Sequence, residues 1–127
     1  MQPHELRLPA VAAQLAATGL VAVLETHGRK TGQTAVAAVG FFAEPDGSLL
    51  VAAGDPGADW ALNLLAAPDC WVQIGEDRFA CTAEPIDAID RATAVRELIL
   101  RYGTPAERLG AGPAFRLRPD GERAPGV

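Results

Sequence analysis

Short apolar runs separated by tight-turn sequences constrain this chain more than any other feature. Glu44-Pro45-Asp46-Gly47 has proline and glycine where a hairpin turn needs them, and Gly75-Glu76-Asp77 separates two further runs in which apolar residues alternate. Strands that are joined by tight turns pair with each other as antiparallel neighbours. The pattern therefore predicts a mostly antiparallel sheet.

The apolar periodicity predicts six strands and three helices. The strands are expected at residues 20–25, 34–43, 48–53, 70–74, 78–84 and 115–118, and the helices at 9–17, 60–67 and 87–102, with a further turn at 105–109. Asp59 is expected to cap the second helix, and Gly103 to end the third. Six strands with few unpaired edges favour a small barrel, so the predicted fold class is α+β, mainly β.

Length and charge limit the classes of protein that fit. The 127 residues suit one domain, expected at 1–119, with a loose tail at 120–127. A net charge of -5 argues against a nucleic-acid binder and against an anionic membrane surface as partner. The sequence has no apolar stretch long enough to span a bilayer and no secretory signal pattern, so a cytoplasmic location is expected.

The two cysteines, Cys70 and Cys81, fall in predicted strands. A disulfide is not expected in the cytoplasm, and two cysteines without clustered histidines make no recognisable metal site. The prediction is two buried thiols and no bound metal.

The most informative run for function is Thr26-His27-Gly28-Arg29-Lys30-Thr31-Gly32-Gln33, which contains the only lysine of an acidic chain. A glycine-flanked turn between strands can direct successive backbone N–H groups at an anion, and an arginine fork and a lysine add positive charge. The run lacks the spacing of a phosphate-binding Walker loop and of a dinucleotide-binding fingerprint. It predicts a site for phosphate or carboxylate, with an ordinary solvated turn as the alternative.

Two further segments are candidates for holding a planar ligand. Trp60 and Asn63 share one face of the second predicted helix, and the small residues of Ala53-Gly54-Asp55-Pro56-Gly57 allow a flat ring to approach the backbone. The alternatives are a tryptophan that anchors the core, an asparagine that ties a loop, and an ordinary strand-to-helix turn.

A catalytic set is harder to find in this sequence. Tyr102 is the only tyrosine and is a candidate proton donor, with packing at the end of its helix as the alternative. No Ser/His/Asp or Cys/His arrangement supports nucleophilic catalysis, which argues against a hydrolase.

The order of four motifs resembles the deazaflavin-dependent nitroreductases, also described as reductases that use coenzyme F-420. The motifs lie in residues 18–84. They are Leu24-Glu25-Thr26-His27-Gly28-Arg29-Lys30-Thr31-Gly32-Gln33, Leu50-Val51-Ala52-Ala53, Trp60-Ala61-Leu62-Asn63-Leu64 and Val72-Gln73-Ile74-Gly75. The resemblance implies a split β-barrel of the FMN-binding type and an oxidoreductase that passes a hydride from a reduced deazaflavin to a small, electron-poor organic acceptor.

The resemblance also implies a cofactor site. Residues Gly28, Arg29, Lys30, Thr31, Gly32 and Gln33 would hold the acidic tail of the cofactor, Ala52, Ala53, Gly54 and Asp55 would lie near its ring, and Trp60 and Asn63 would form the wall beside it. Two alternatives stay open at this point: an FMN-dependent enzyme of the same fold, and a non-catalytic carrier of a cofactor or apolar ligand. A homodimer is compatible with such a barrel.

Overall fold

Seven antiparallel strands and two helices make up the described part of the chain. The structure is a computed structural model that describes residues 19–103 and 111–120. In chain order the elements are β1 (Ala22–His27), β2 (Thr34–Val39), β3 (Phe42–Ala43), β4 (Leu49–Ala52), α1 (Asp59–Ala66), β5 (Asp69–Ile74), β6 (Asp77–Pro85), α2 (Ala88–Tyr102) and β7 (Ala114–Pro119). The predicted mainly antiparallel α+β class is confirmed.

The strands form one sheet in the order β2-β1-β5-β6-β7-β4-β3, and every pairing is antiparallel. The two edge strands, β2 and β3, follow each other in the chain with only Gly40 and Phe41 between them. Since so short a link spans at most about 11 Å, the two edges must lie close together. The sheet therefore curls into a split-barrel-like form.

The strand count differs from the sequence prediction by one. The single strand expected at 34–43 is two strands, because the chain leaves β1 at Gly40 and continues beside β4 on the opposite edge. The described residues therefore hold seven strands rather than six, together with both helices that were expected among them. The helix expected at 9–17 and the turn at 105–109 lie outside the described residues.

The helix ends show one correct and one wrong capping prediction. Asp87 caps α2 by accepting a hydrogen bond of 2.8 Å from the Asp90 N–H, and Gly103 ends that helix at a φ of 88°. Asp59 does not cap α1, whose N-cap is Ala58 without a side-chain hydrogen bond. The Asp59 carboxylate instead lies in the first turn, where it contacts Arg29.

The main core fills the inside of the curled sheet, and a smaller apolar cluster lies between the sheet and α2. Leu24, Val72 and Phe115 are fully buried inside, where α1 adds Ala61 and Leu64. Helix α2 packs through a buried Leu98 on the other side of β4 and β7, against Ala52 and Ala114. None of the helices among residues 19–103 and 111–120 combines the length and apolar character that crossing a membrane requires.

Candidate functional site

The turn between β1 and β2 is built around two glycines. The N–H of Gly28 donates to the carbonyl of Gln33 at 2.8 Å, and the N–H of Gly32 donates to the carbonyl of Gly28 at 2.8 Å. A Cβ on Gly28 would lie 2.5 Å from the Gln33 oxygen, and Gly32 has a φ of 78°, which side chains disfavour. The turn therefore requires glycine at both positions, which explains the spacing Gly-Arg-Lys-Thr-Gly.

Two successive backbone donors of this turn are available to a ligand. Among the described residues, the N–H groups of Lys30 and Thr31 donate to no acceptor, and the Lys30 side chain is exposed and forms no ion pair. The Thr31 hydroxyl accepts a 3.1 Å hydrogen bond from the Gln33 N–H, which fixes its position. Successive free N–H groups beside an ammonium are the features that hold an anion.

Arg29 does not extend into solvent beside Lys30 but folds back onto α1. Its Nη1 donates to Asn63 Oδ1 at 2.8 Å and to the Asp59 carbonyl at 3.3 Å, and its Nη2 donates to Asp59 Oδ1 at 3.1 Å. The fork that the sequence suggested for a ligand is thus occupied by the protein. Sequence reasoning missed Asp59 as its partner, although the four-residue spacing from Asn63 places both on one helix face.

Asn63 joins three parts of the site. It is 2 % exposed, its Oδ1 accepts from the Arg29 N–H at 3.1 Å as well as from the side chain, and its Nδ2 donates to Thr26 Oγ1 at 3.0 Å. The asparagine ties the turn to both β1 and α1. Thr26 belongs to the run that the sequence singled out, but no role was assigned to it, because nothing marks it there except its place beside the turn.

A shallow cavity of about 160 Å³ lies beside the turn. Its wall consists of residues 28–31 of the turn, Ala35 of β2, and Asp59 and Asn63 of α1. The turn that the sequence singled out therefore borders a cavity. Its size suits a phosphate or carboxylate group and is small for a three-ring heterocycle.

The residues expected near a ring lie elsewhere. Ala52 and Ala53 are buried in the core, and the Ala53 N–H and carbonyl bond to Pro113 and Gly112, at 2.8 and 3.1 Å. Asp55 Oδ1 accepts from the Gly57 N–H, and the Asp55 carbonyl accepts from the Ala58 N–H at the start of α1. The cavity beside the turn is not lined by residues 52–55.

Trp60 and Tyr102 both have structural contacts. The Trp60 ring packs on the core 6.0 Å from Phe115. The Tyr102 hydroxyl accepts from the Phe41 N–H at 3.1 Å and from Arg101 Nε at 2.9 Å, and donates to the Leu20 carbonyl at 2.6 Å. Since the Tyr102 hydroxyl already donates its proton to the Leu20 carbonyl, donation of that proton to a substrate requires this hydrogen bond to break.

A larger cavity of about 250 Å³ is bordered by residues of β1, β5 and β6, among them Glu25, His27 and Trp71. Glu25, which is 4 % exposed, forms a bidentate ion pair with Arg78, at 2.5 and 3.2 Å. The Arg78 guanidinium lies 4.6 Å from the centre of the Trp71 ring. This pair was not anticipated, although a glutamate inside an apolar strand is itself a signal.

The thiols of Cys70 and Cys81 are buried in paired positions of β5 and β6, which confirms the prediction of two buried thiols. Burial and then the nearby carboxylates of Asp120 and Asp69 raise the pKa of Cys70 to about 12. Because only the thiolate is nucleophilic, we expect Cys70 to resist alkylation by iodoacetamide throughout pH 7–9 in the native protein. Mass spectrometry of native and urea-unfolded samples measures this, and rapid native labelling at pH 8 would contradict it.

Residues 7–107 match the model of the family described as F420H(2)-dependent quinone reductase. The F420H(2)-dependent quinone reductase Rv1261c of Mycobacterium tuberculosis (strain ATCC 25618 / H37Rv) is 37 % identical over 71 residues, which are 54 % of this chain and 48 % of that protein. The chain spans about half the length of the curated relatives it matches. The match supports the deazaflavin resemblance seen in the motifs.

Solved structures agree on the fold. The F420-H2 dependent reductase FDR-A superposes with a TM-score of 0.64 at 21 % identity, covering 78 % of this chain and 94 % of that one. A structure described as a domain-swapped dimer gives a TM-score of 0.64 at 21 % identity, covering 91 % and 96 %. At this identity both establish the architecture only. The family match covers most of the chain and includes the Gly28–Gly32 turn, so the chain belongs to the F420H(2)-dependent quinone reductase family.

Proposed function

We propose that this chain is an oxidoreductase that binds coenzyme F420 and transfers a hydride from the reduced cofactor to a quinone or a similar electron-poor organic acceptor. The family match supports the cofactor and the acceptor class. The observation that carries the proposal is local: within residues 19–103 and 111–120, the N–H groups of Lys30 and Thr31 have no acceptor and the Lys30 ammonium has no carboxylate partner, and both residues line one cavity.

The residues of the turn fit an acidic group better than a neutral one. Lys30 supplies a full positive charge, and the two amides supply donors whose positions are fixed by the glycine-based turn. The rest of the protein is acidic, so the turn is a local exception to the charge of the chain. These residues would hold the phosphate and carboxylates of the cofactor tail.

The reduced deazaflavin would supply the hydride, and the protein would supply placement. Lys30 and the turn amides anchor the acidic end, while Asn63 and Arg29 hold the turn against β1 and α1. Fixing one end of the donor restricts the positions that the other end can take. Bringing donor and acceptor carbons to about 3–3.5 Å is then the main contribution of the protein to the rate.

The places of the ring and of the acceptor are further parts of the proposal. Residues 52–55 lead into α1 through the Asp55 carbonyl, which accepts from the Ala58 N–H at 3.1 Å, and α1 carries Asp59 and Asn63 to the turn. A ring near residues 52–55 and a tail at the turn would thus lie at opposite ends of one short segment. The completing proton is assigned to water, because the Tyr102 proton is engaged by Leu20.

Equilibrium titration of the purified chain with oxidised F420 and with FMN tests the cofactor assignment. Each titration is run at about 0.05 M and about 0.5 M salt, since a charge-held tail binds more weakly when screened. Tighter binding of F420 with clear salt dependence is expected. Tighter binding of FMN would favour the flavin alternative. Binding of F420 without turnover of a quinone, an enone or a nitroaromatic would favour a carrier.

Replacing Lys30 by alanine tests the role of the turn. Loss of one charge-assisted contact is expected to weaken F420 binding about tenfold, and to leave the rate of the saturated enzyme within about twofold of wild type. Titration gives the affinity, and steady-state kinetics separate KM from kcat. Arg96→Ala removes a cation from an exposed position on α2 and serves as the control. Unchanged affinity in Lys30→Ala would remove the turn from the binding site.

Assembly and domain limits are further parts of the proposal. A homodimer is consistent with the neighbour of the same fold that is described as a domain-swapped dimer. Light scattering after gel filtration measures the mass directly. A single domain over residues 1–119 and a cytoplasmic location remain predictions from the sequence.

A further inference from the structure

We propose that Asp59 is a built-in competitor for the anion: its carboxylate occupies the outer N–H of the Arg29 fork and is displaced when an anionic ligand binds beside Lys30. This inference rests on the proposed function and goes further by assigning a role in affinity and selectivity to a residue of α1. It explains why an arginine in an anion-binding turn faces the protein.

The geometry separates the two sides of the Arg29 fork. Nη1 donates to Asn63 Oδ1 at 2.8 Å, in a partly buried part of the site, and to the Asp59 backbone carbonyl at 3.3 Å. Nη2 donates to Asp59 Oδ1 at 3.1 Å, in the exposed part. Asp59, Lys30 and the turn line the same cavity. The contact that a ligand would replace is therefore the outer one, and Asn63 still holds the arginine after the exchange.

Exposure makes that exchange easy. The Asp59 side chain is 78 % exposed and that of Arg29 is 21 % exposed. Ion pairs with an exposed partner contribute little to stability, because water competes for both charges. A ligand oxygen that also contacts Lys30 and the turn amides gains several partners at once, whereas Asp59 has one. The released carboxylate remains hydrated.

The competition selects for ligands with more than one negative charge. A ligand with a single negative charge is satisfied by Lys30 alone and gains little by displacing Asp59. A ligand with two or more neighbouring negative charges, such as a phosphodiester followed by carboxylates, can contact Lys30 with one group and Arg29 with the next. Asp59 thus lowers the affinity for every anion that must reach Arg29, and only a ligand with a second charged group gains enough contacts to displace it.

The test measures Asp59→Asn with two probes, oxidised F420 and inorganic pyrophosphate, the second reporting on the anion site alone. The variant keeps the size of the side chain and removes its charge. We expect both probes to bind about threefold to tenfold more tightly than to wild type, with a steeper dependence on salt. Asp59→Glu retains the competing carboxylate and is expected to bind like wild type. Circular dichroism and thermal unfolding verify that each variant is folded.

Glu76→Gln is the matched control because it removes one negative charge at the other end of the sheet. Strand β5 runs antiparallel to β1, so Glu76, in the β5–β6 turn, lies near the start of β1. Lys30 lies in the turn that follows the other end of β1. Its binding is expected to stay within about twofold of wild type, since screening weakens distant charges.

The outcomes separate the two proposals. The role of Asp59 is overturned if a probe that binds wild type binds Asp59→Asn equally tightly or more weakly. It is also overturned if Glu76→Gln tightens binding as much as Asp59→Asn does. If F420 fails to bind while pyrophosphate binding still tightens in Asp59→Asn, the cofactor assignment fails and the competition stands. If neither probe binds wild type or Asp59→Asn, both proposals are overturned.

Discussion

Asn63→Ala is expected to destabilise the protein by about 2–4 kcal/mol and to abolish measurable F420 binding. The change removes the acceptor for two Arg29 donors and the donor to Thr26, so that the Arg29 N–H loses its partner in a partly buried place and Nη1 keeps only its 3.3 Å contact with the Asp59 carbonyl. The turn then loses its attachment to β1 and α1, so the amides of Lys30 and Thr31 no longer hold a fixed direction. Urea unfolding measures the first effect and titration at a temperature where the variant is folded measures the second.

Asn63→Asp is the matched variant for this experiment. An aspartate retains the oxygen that accepts from Arg29, and the Thr26 hydroxyl can turn its proton toward the new carboxylate. We expect it to recover most of the stability and binding that alanine loses. If Asn63→Ala binds F420 like wild type, the attachment of the turn does not matter for the cofactor. If alanine and aspartate behave alike, the loss comes from packing and not from hydrogen bonds.

Arg78→Met is expected to lower the free energy of unfolding by about 3 kcal/mol at pH 7, and Tm by about 10 °C or more. Glu25 is 4 % exposed, and Arg78 is its bidentate partner. Methionine preserves most of the apolar contact with Trp71 but leaves the carboxylate buried without its counter-charge. Equilibrium unfolding in urea, followed by tryptophan fluorescence, measures the change.

Two further variants test whether the burial of Glu25 causes the loss of stability in Arg78→Met. Arg118→Met breaks the exposed pair with Glu84, whose side chains are 48 % and 45 % exposed, and is expected to cost less than about 1 kcal/mol. The double variant Glu25→Gln/Arg78→Met removes the unpaired charge and is expected to regain most of the stability. Equal costs for Arg78→Met and Arg118→Met would show that burial of Glu25 does not govern the loss.

The architecture could be predicted from the sequence where local signals were strong. The turns at residues 44–47 and 75–77 set neighbouring strands antiparallel, and Asp87 and Gly103 marked the ends of α2, because turn and cap chemistry depend on a few adjacent residues. The split of the strand at Gly40 could not be predicted. An apolar run looks the same whether it stays on one edge of a sheet or crosses to the other.

In the site, too, local features could be predicted from the sequence and long-range contacts could not. The Gly-Arg-Lys-Thr-Gly spacing identified the turn, because both glycines are required by backbone geometry that is local to it. The sequence also made Arg29 a ligand-binding residue, whereas the fold turns its fork to Asp59 and Asn63, which are 30 and 34 positions away in the chain. Asp59 looked like a helix cap for the same reason: its partner is distant in sequence.

By itself the sequence determined a small antiparallel fold with a cationic turn after its first strand, since periodicity, turn residues and charge are properties of neighbouring residues. Only the tertiary structure decided which of the two cations of that turn contacts the protein and which remains exposed. Hydrogen bonds attach Arg29 to α1, whereas Lys30 stays exposed beside the cavity, and long-range contacts of that kind depend on how β1 and α1 pack. The fold likewise paired Glu25 with Arg78 across β1 and β6, which no local pattern records.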